Sequence, residues 1–149
     1  MSYPDESRGA SRGSPGASNG TIADQSVRRP NLEALAEKLF SSLLRDDYDK
    51  VATCFSAGAT WWIGGNLRGP ASDFLAARRV QKHPIGPRTY EEVRRMFSDD
   101  GFVEQHVTQW IGAHGEVRRL PICAIVRVNS EGLVTTFEEY YDTAAINAR

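Results

Sequence analysis

The 149 residues include only two cysteines, two methionines and three histidines, with almost no excess charge. Each scarcity excludes a class of function. Cys54 and Cys123 sit in apolar contexts without a CxxC neighbour, which reads as two buried free thiols rather than a disulfide framework. His83, His106 and His114 keep no regular spacing to Cys, Asp or Glu, so the chain carries no metal-site pattern. A formal net charge of -1 gives no electrostatic footprint for nucleic acid or an acidic membrane surface. The longest apolar stretches are strand-length, too short to span a bilayer, and residues 1–27 lack the hydrophobic region of a secretory signal. Glycine-rich phosphate loops and a GxSxG elbow are missing as well. These readings leave a cytoplasmic protein with no cofactor, no nucleic acid and no membrane among its partners.

What is present concentrates in the last third. Three apolar-rich runs, Phe102–Ile111, Arg119–Asn129 and Leu133–Asp142, are separated by Gly112-Ala113-His114-Gly115 and Ser130-Glu131-Gly132. Each is rich in β-branched and aromatic residues, and glycine falls in the turns where a positive φ is needed. The pattern predicts an antiparallel meander that buries one face against the earlier half of the chain.

That earlier half reads as helical. Residues 1–29 are Ser-, Gly-, Pro- and Arg-rich and nearly free of large apolar side chains, so a disordered tail is expected there. The folded domain is expected over 30–146. A helix starts after Pro30 with Asn31 as N-cap, and Leu32, Leu35, Leu39 and Leu43 form its apolar stripe. A second short helix, capped by Asp47 or Asp49, runs through Phe55. Ala59–Ile63 reads as a strand and Ala71–Lys82 as a third helix with Arg78, Arg79 and Lys82 solvated. At 89–97 a capping box (Thr89 to Glu92) argues for helix, while the alternation of Val93, Arg95 and Phe97 argues for strand, which is the reading adopted. The order is α-α-β-α-β-β-β-β, an α+β chain.

Three stretches carry a resemblance: Leu43-Leu44-Arg45-Asp46-Asp47 leading to Val51–Phe55, Ala59–Gly65, and Gly132-Leu133-Val134 followed by Phe137–Thr143. Over about Asn31 to Ala145 the chain resembles the nuclear transport factor 2-like superfamily, closest to its SnoaL-like (polyketide cyclase) and ketosteroid isomerase-like members. The resemblance implies a cone-shaped, curved antiparallel or mixed β-sheet, an α+β barrel, wrapped around three N-terminal helices. An apolar pocket would open at one end.

The alignment implied by that resemblance turns Val107, Gln109 and Ile111 inward on the first meander strand. Ile122 and Ala124 follow on the second, then Phe137, Glu139 and Tyr141 on the third, faced by Trp61 and Ile63. The steroid isomerases' base, tyrosine and protonated aspartic acid fall on Ile63, Leu39 and Ala124, which removes that mechanism. The limonene epoxide hydrolases' Asp–Arg–Asp relay falls on Gln109, Val107 and Glu139, with their tyrosine and asparagine on Trp61 and Ile63. Of that relay only Glu139 keeps a carboxylate.

The predicted catalytic set is therefore Glu139, Gln109 and Tyr141: a desolvated carboxyl as proton shuttle, an amide to orient water or a carbonyl, and a phenol to donate to an oxyanion. Trp61, Ile63, Val107, Ile122, Ala124 and Phe137 would line the ligand. The competing reading of Glu139 is a salt bridge to an arginine such as Arg118 or Arg119, or a place at the wet mouth of the cone. His106 falls on the opposite face with Thr108 and Trp110, beside Cys123, Ile125 and Arg127, and that mixed face predicts a homodimer. His83 and His114 read as solvated loop residues. Function follows as cofactor-free isomerase, cyclase, dehydratase or hydrolase chemistry on a small hydrophobic, cyclic metabolite. The alternative is a non-catalytic ligand-binding or assembly module of the same fold.

Overall fold

The sheet is open, and three irregularities accompany its curvature. The computed structural model describes residues 20–64, 67–81, 83 and 85–147, and of 20–30, 67 and 147 the backbone alone. Its elements in order are α1 (Gly20–Leu44), α2 (Tyr48–Ala52), β1 (Phe55–Ile63), β2 (Leu67–Pro70), α3 (Ala71–Val80), β3 (Arg88–Ser98), β4 (Gly101–Ile111), β5 (Val117–Val128), β6 (Val134–Tyr140) and α4 (Thr143–Asn147). The six strands form one mixed sheet in the order β2-β1-β6-β5-β4-β3. β1 runs parallel to β6, and every other neighbouring pair is antiparallel. Register shifts interrupt β1, β3 and the β5–β6 ladder, and such bulges bend strands. In β3 the bulge holds Glu92 at φ 54.

The helices fill the inside of this curve. Leu32, Ala36, Leu39, Phe40 and Leu43 recur on one face of α1 and are all buried. Phe40 meets Phe102 of β4 edge-on at 6.3 Å and Phe137 of β6 at 6.0 Å. Trp61 stacks between Phe74 of α3 and Phe137, each 4.2 Å away. Burying one such side chain stabilises by about 1.5–3 kcal/mol. After α1 the chain turns through Asp46 at φ 56, a conformation aspartate tolerates. Asp47 then caps α2 by accepting from the Lys50 amide at 3.1 Å.

The strand reading at 89–97 holds, as do the meander and the third helix. Several expectations need correction. Helix α1 begins ahead of Pro30, with Asn31 inside it rather than at its cap. An interior proline removes one amide bond, and the helix runs on through it. The expected tail lies outside the described residues as far as 19, whereas 20–29 are helical backbone. Strand β2 and helix α4 are additional; each is too short to carry a periodic signal.

The largest correction concerns β4. Its buried residues are Phe102, Glu104, His106, Thr108 and Trp110, so Val107, Gln109 and Ile111 face outward. The turn to β5 explains it. Ile111 pairs with Val117, which makes the turn five residues long, 112–116, with Glu116 part of it. Reading the turn as Gly112–Gly115 is short by one residue, and a one-residue slip moves every side chain of a strand to the other face. Trp110, placed above on the mixed face that predicts a homodimer, is 8% exposed in the single chain and belongs to its interior. The β4 half of the face that motivated the dimer thereby turns inward, while Ile125 of β5 stays outside, opposite Val103.

Candidate active site

Glu139 projects from β6 into a cleft between the concave face of the sheet and the helices. Parallel pairing sets it level with Ile63 of β1, and antiparallel pairing sets it level with Ala124 of β5. The cleft is narrow, about 80 Å³ within, or about 650 Å³ when the open mouth is included. Trp61, Ile63, Phe74, Leu120 and Ile122 make its apolar wall. Leu43 at the end of α1 and Ile146 of α4 close it from the helical side.

Surrounded by this wall, the Glu139 carboxyl loses water, and its pKa rises to about 7. Arg78 and Arg88 act through space in the opposite sense, and burial prevails. No hydrogen bond holds the carboxyl among the described residues. The salt-bridge reading fails on named partners. Arg118 binds Glu116 at 2.8 Å, while Arg119 binds Glu91 at 2.9 Å and Glu92 at 2.6 Å.

Two phenols stand near that carboxyl. Tyr141 is shifted upward by burial and then by the charge of Glu139. Tyr90 is shifted further in the same direction by the same two causes, in that order. Both remain protonated donors at neutral pH. Tyr48, pushed up to about 12 chiefly by burial, donates to Asp46 at 3.1 Å at the entrance. His83 lines the mouth, where burial, then Arg88 and Arg78, depress its pKa to about 4. Its Nδ1 accepts from the Ile85 amide at 3.2 Å, which leaves the ring proton on Nε2 as a donor.

Behind Tyr90 lies a buried ionic cluster. Glu104, 0% exposed, accepts from Arg95 Nε at 2.7 Å and contacts His106 Nδ1 at 3.0 Å. Arg95 also reaches Glu37 on α1 at 3.0 Å. The His106 ring stacks on Tyr90, so this cluster backs a pocket residue.

Of the residues anticipated from sequence, Glu139, Tyr141, Trp61, Ile63 and Ile122 meet in the cleft. Ala124 and Phe137 are fully buried in the core behind it. Gln109 and Val107 do not take part: Gln109 accepts from Arg119 on the outer face, and Val107 pairs with Pro121 there. The β4 positions facing inward are Thr108 and His106, and neither restores the epoxide hydrolase relay. Arg78, His83, Arg88, Tyr90 and Thr108 were missed as pocket residues. In the sequence Arg78 and His83 carry only the marks of a solvated helix end and a loop, and the capping-box pattern at 89–92 says nothing of where Tyr90 points. Among the described residues no three His, Cys, Asp or Glu side chains converge as a metal ion would need.

No protein-family model and no curated protein matches the chain. Solved structures do. A candidate polyketide cyclase from Xanthomonas campestris pv. campestris superposes with a TM-score of 0.66 at 16% identity, covering 78% of this chain and 93% of that one. An LEH-like epoxide hydrolase from M. tuberculosis gives 0.62 at 15% identity, over 79% and 87%. An NTF2-like protein of unknown function from Burkholderia pseudomallei K96243 gives 0.63 at 20% identity, over 76% and 92%.

Proposed function

Since the chain has the nuclear transport factor 2-like fold, we propose that its cleft performs SnoaL-like acid–base chemistry on a small hydrophobic, cyclic metabolite without a cofactor. One observation carries this reading: a carboxyl with a pKa of about 7, enclosed by apolar side chains and flanked by two protonated phenols. A base poised near the working pH is present in both protonation states, which is what a proton shuttle requires. Glu139 removes a proton from carbon or from water and returns it to another atom of the same substrate. Tyr141 and Tyr90 donate hydrogen bonds to the oxygen on which charge develops. Isomerisation, cyclisation, dehydration and hydrolysis all reduce to that exchange, and the narrow cleft favours a flat ring.

The test needs no knowledge of the net reaction. Cyclic ketones are incubated with the protein in deuterated water, and exchange next to the carbonyl is followed by NMR. Wild type should accelerate exchange for some members of the panel, and Glu139→Gln should abolish the acceleration. Ring ligands that bind without exchange, and without turnover of epoxides or alcohols, would favour the non-catalytic binding module instead.

A further inference from the structure

The apolar cleft adjoins a second cleft of about 680 Å³, lined mostly by polar and charged residues of the α1–α2 corner, α3 and the stretch leading into β3. Four residues line both: Tyr48, Arg78, His83 and Arg88. The charges around this junction are nearly all committed. Arg88 has a side chain only 3% exposed and donates to Asp46 at 2.8 Å and to the Leu43 carbonyl at 2.6 Å. Arg79 is held by Asp49 at 2.7 Å. Asp47 is occupied in capping α2, and Asp46 also accepts from Tyr48.

Arg78 is different. Among the described residues no carboxylate lies within ion-pair distance of it, and its guanidinium stands over the Phe74 ring at 5.2 Å. It is half-buried and lines both clefts. His83 stands at their shared rim as an uncharged donor. One cation without an ion-pair partner among the described residues, beside one neutral donor at the edge of an apolar slot, suits an oxyanion attached to a ring.

We infer that the ligand is amphipathic, with its ring in the cleft beside Trp61 and Phe74 and an anionic oxygen group, carboxylate or phosphate ester, on Arg78 and His83 at the rim. The inference rests on the reading of this cleft as a ligand pocket, and goes beyond it by fixing the charge of the ligand. It also assigns a use to the second cleft: the anionic end lies where a longer substituent would extend into the open.

Three probes sharing one ring and one spacer separate the possibilities: 3-phenylpropanoate, 3-phenylpropyl phosphate and 3-phenylpropan-1-ol. Calorimetric titration at about pH 6 keeps Glu139 largely protonated and the carboxylate probe ionised. Both anions should bind about tenfold or more tightly than the alcohol, and the tighter of the two names the group. Arg78→Met keeps an unbranched apolar side chain beside Phe74 without the charge, and should erase the preference while leaving the affinity for the alcohol unchanged. Arg78→Lys should restore part of it, and Arg79→Met should keep it whole. An alcohol that binds as well as both anions overturns the inference and leaves the pocket standing. So does a preference that survives Arg78→Met. Binding of none of the three overturns the pocket and the inference together.

Discussion

The imidazole of His106 lies on the phenol ring of Tyr90, with centroids 4.0 Å apart and planes 22° from parallel. Glu104 fixes that imidazole from beneath and is itself held by Arg95. Glu104→Gln should therefore cost about 3 kcal/mol, because it leaves buried donors facing an uncharged partner. Urea unfolding measures it. A loss below about 1 kcal/mol would mean that the cluster contributes no more than an ordinary hydrogen bond.

Glu139 predicts a pH signature. Its folded pKa of about 7 lies above the ordinary 4.5, so the unfolded chain releases this proton first as pH rises. Stability falls between those two values and stays reduced above them, by roughly 3 kcal/mol as an upper bound. Glu139→Gln carries no such penalty. The variant should melt several degrees above wild type at about pH 8.5 and show a smaller gain at about pH 5. Equal differences at both pH values would show that the carboxyl is solvated.

Trp110 supplies a third prediction. Being buried in the single chain, it cannot be replaced by a smaller charged side chain without loss of packing and the cost of placing a carboxylate inside. Trp110→Glu should give an unfolded or strongly destabilised chain by circular dichroism, not a folded monomer. Native-like melting of the variant would return Trp110 to the surface.

Gly101 opens β4, and a Cβ built there would run into the Val126 carbonyl of β5. The obstacle is backbone, which cannot swing aside as a side chain does. Gly101→Ala should cost more than about 1 kcal/mol, where a propensity effect alone would slightly favour alanine. A neutral result in denaturant melts would mean that the β4–β5 ladder yields at its end.

Much of this architecture is written locally. The Leu32–Leu43 stripe, the glycines at 115 and 132 with φ of 82 and 77, and the aromatic runs each fix an element by themselves. The site is less legible. Whether Gln109 or Thr108 faces the pocket depends on a single residue, Glu116, whose carbonyl accepts from the Gly112 amide and so lengthens the turn. Alternation could not reveal the error, since the buried face of β4 carries Glu104, His106 and Thr108 while Val103, Val107 and Ile111 lie on the other. Charged and polar groups enter the core there as a linked set, and pairing between distant residues has no local pattern. Arg78, His83, Arg88 and Tyr90 share the stretch 78–90 but sit on the end of α3, the loop after it and β3, and only the fold turns all four toward one cleft.

The parallel pairing of β1 with β6 has a consequence for how the pocket comes into being. Ser56 donates to the Val134 carbonyl across 78 residues of chain, and Trp61 faces Phe137 over a similar span. The meander from β3 to β6 can zip up through short turns, whereas β1 must wait for its partner, and such distant closure is slow. Trp61 on one side and Glu139 on the other are joined by that last step. A chain interrupted before β6 would therefore lack one whole side of the cleft, which is complete only once the final strand has joined.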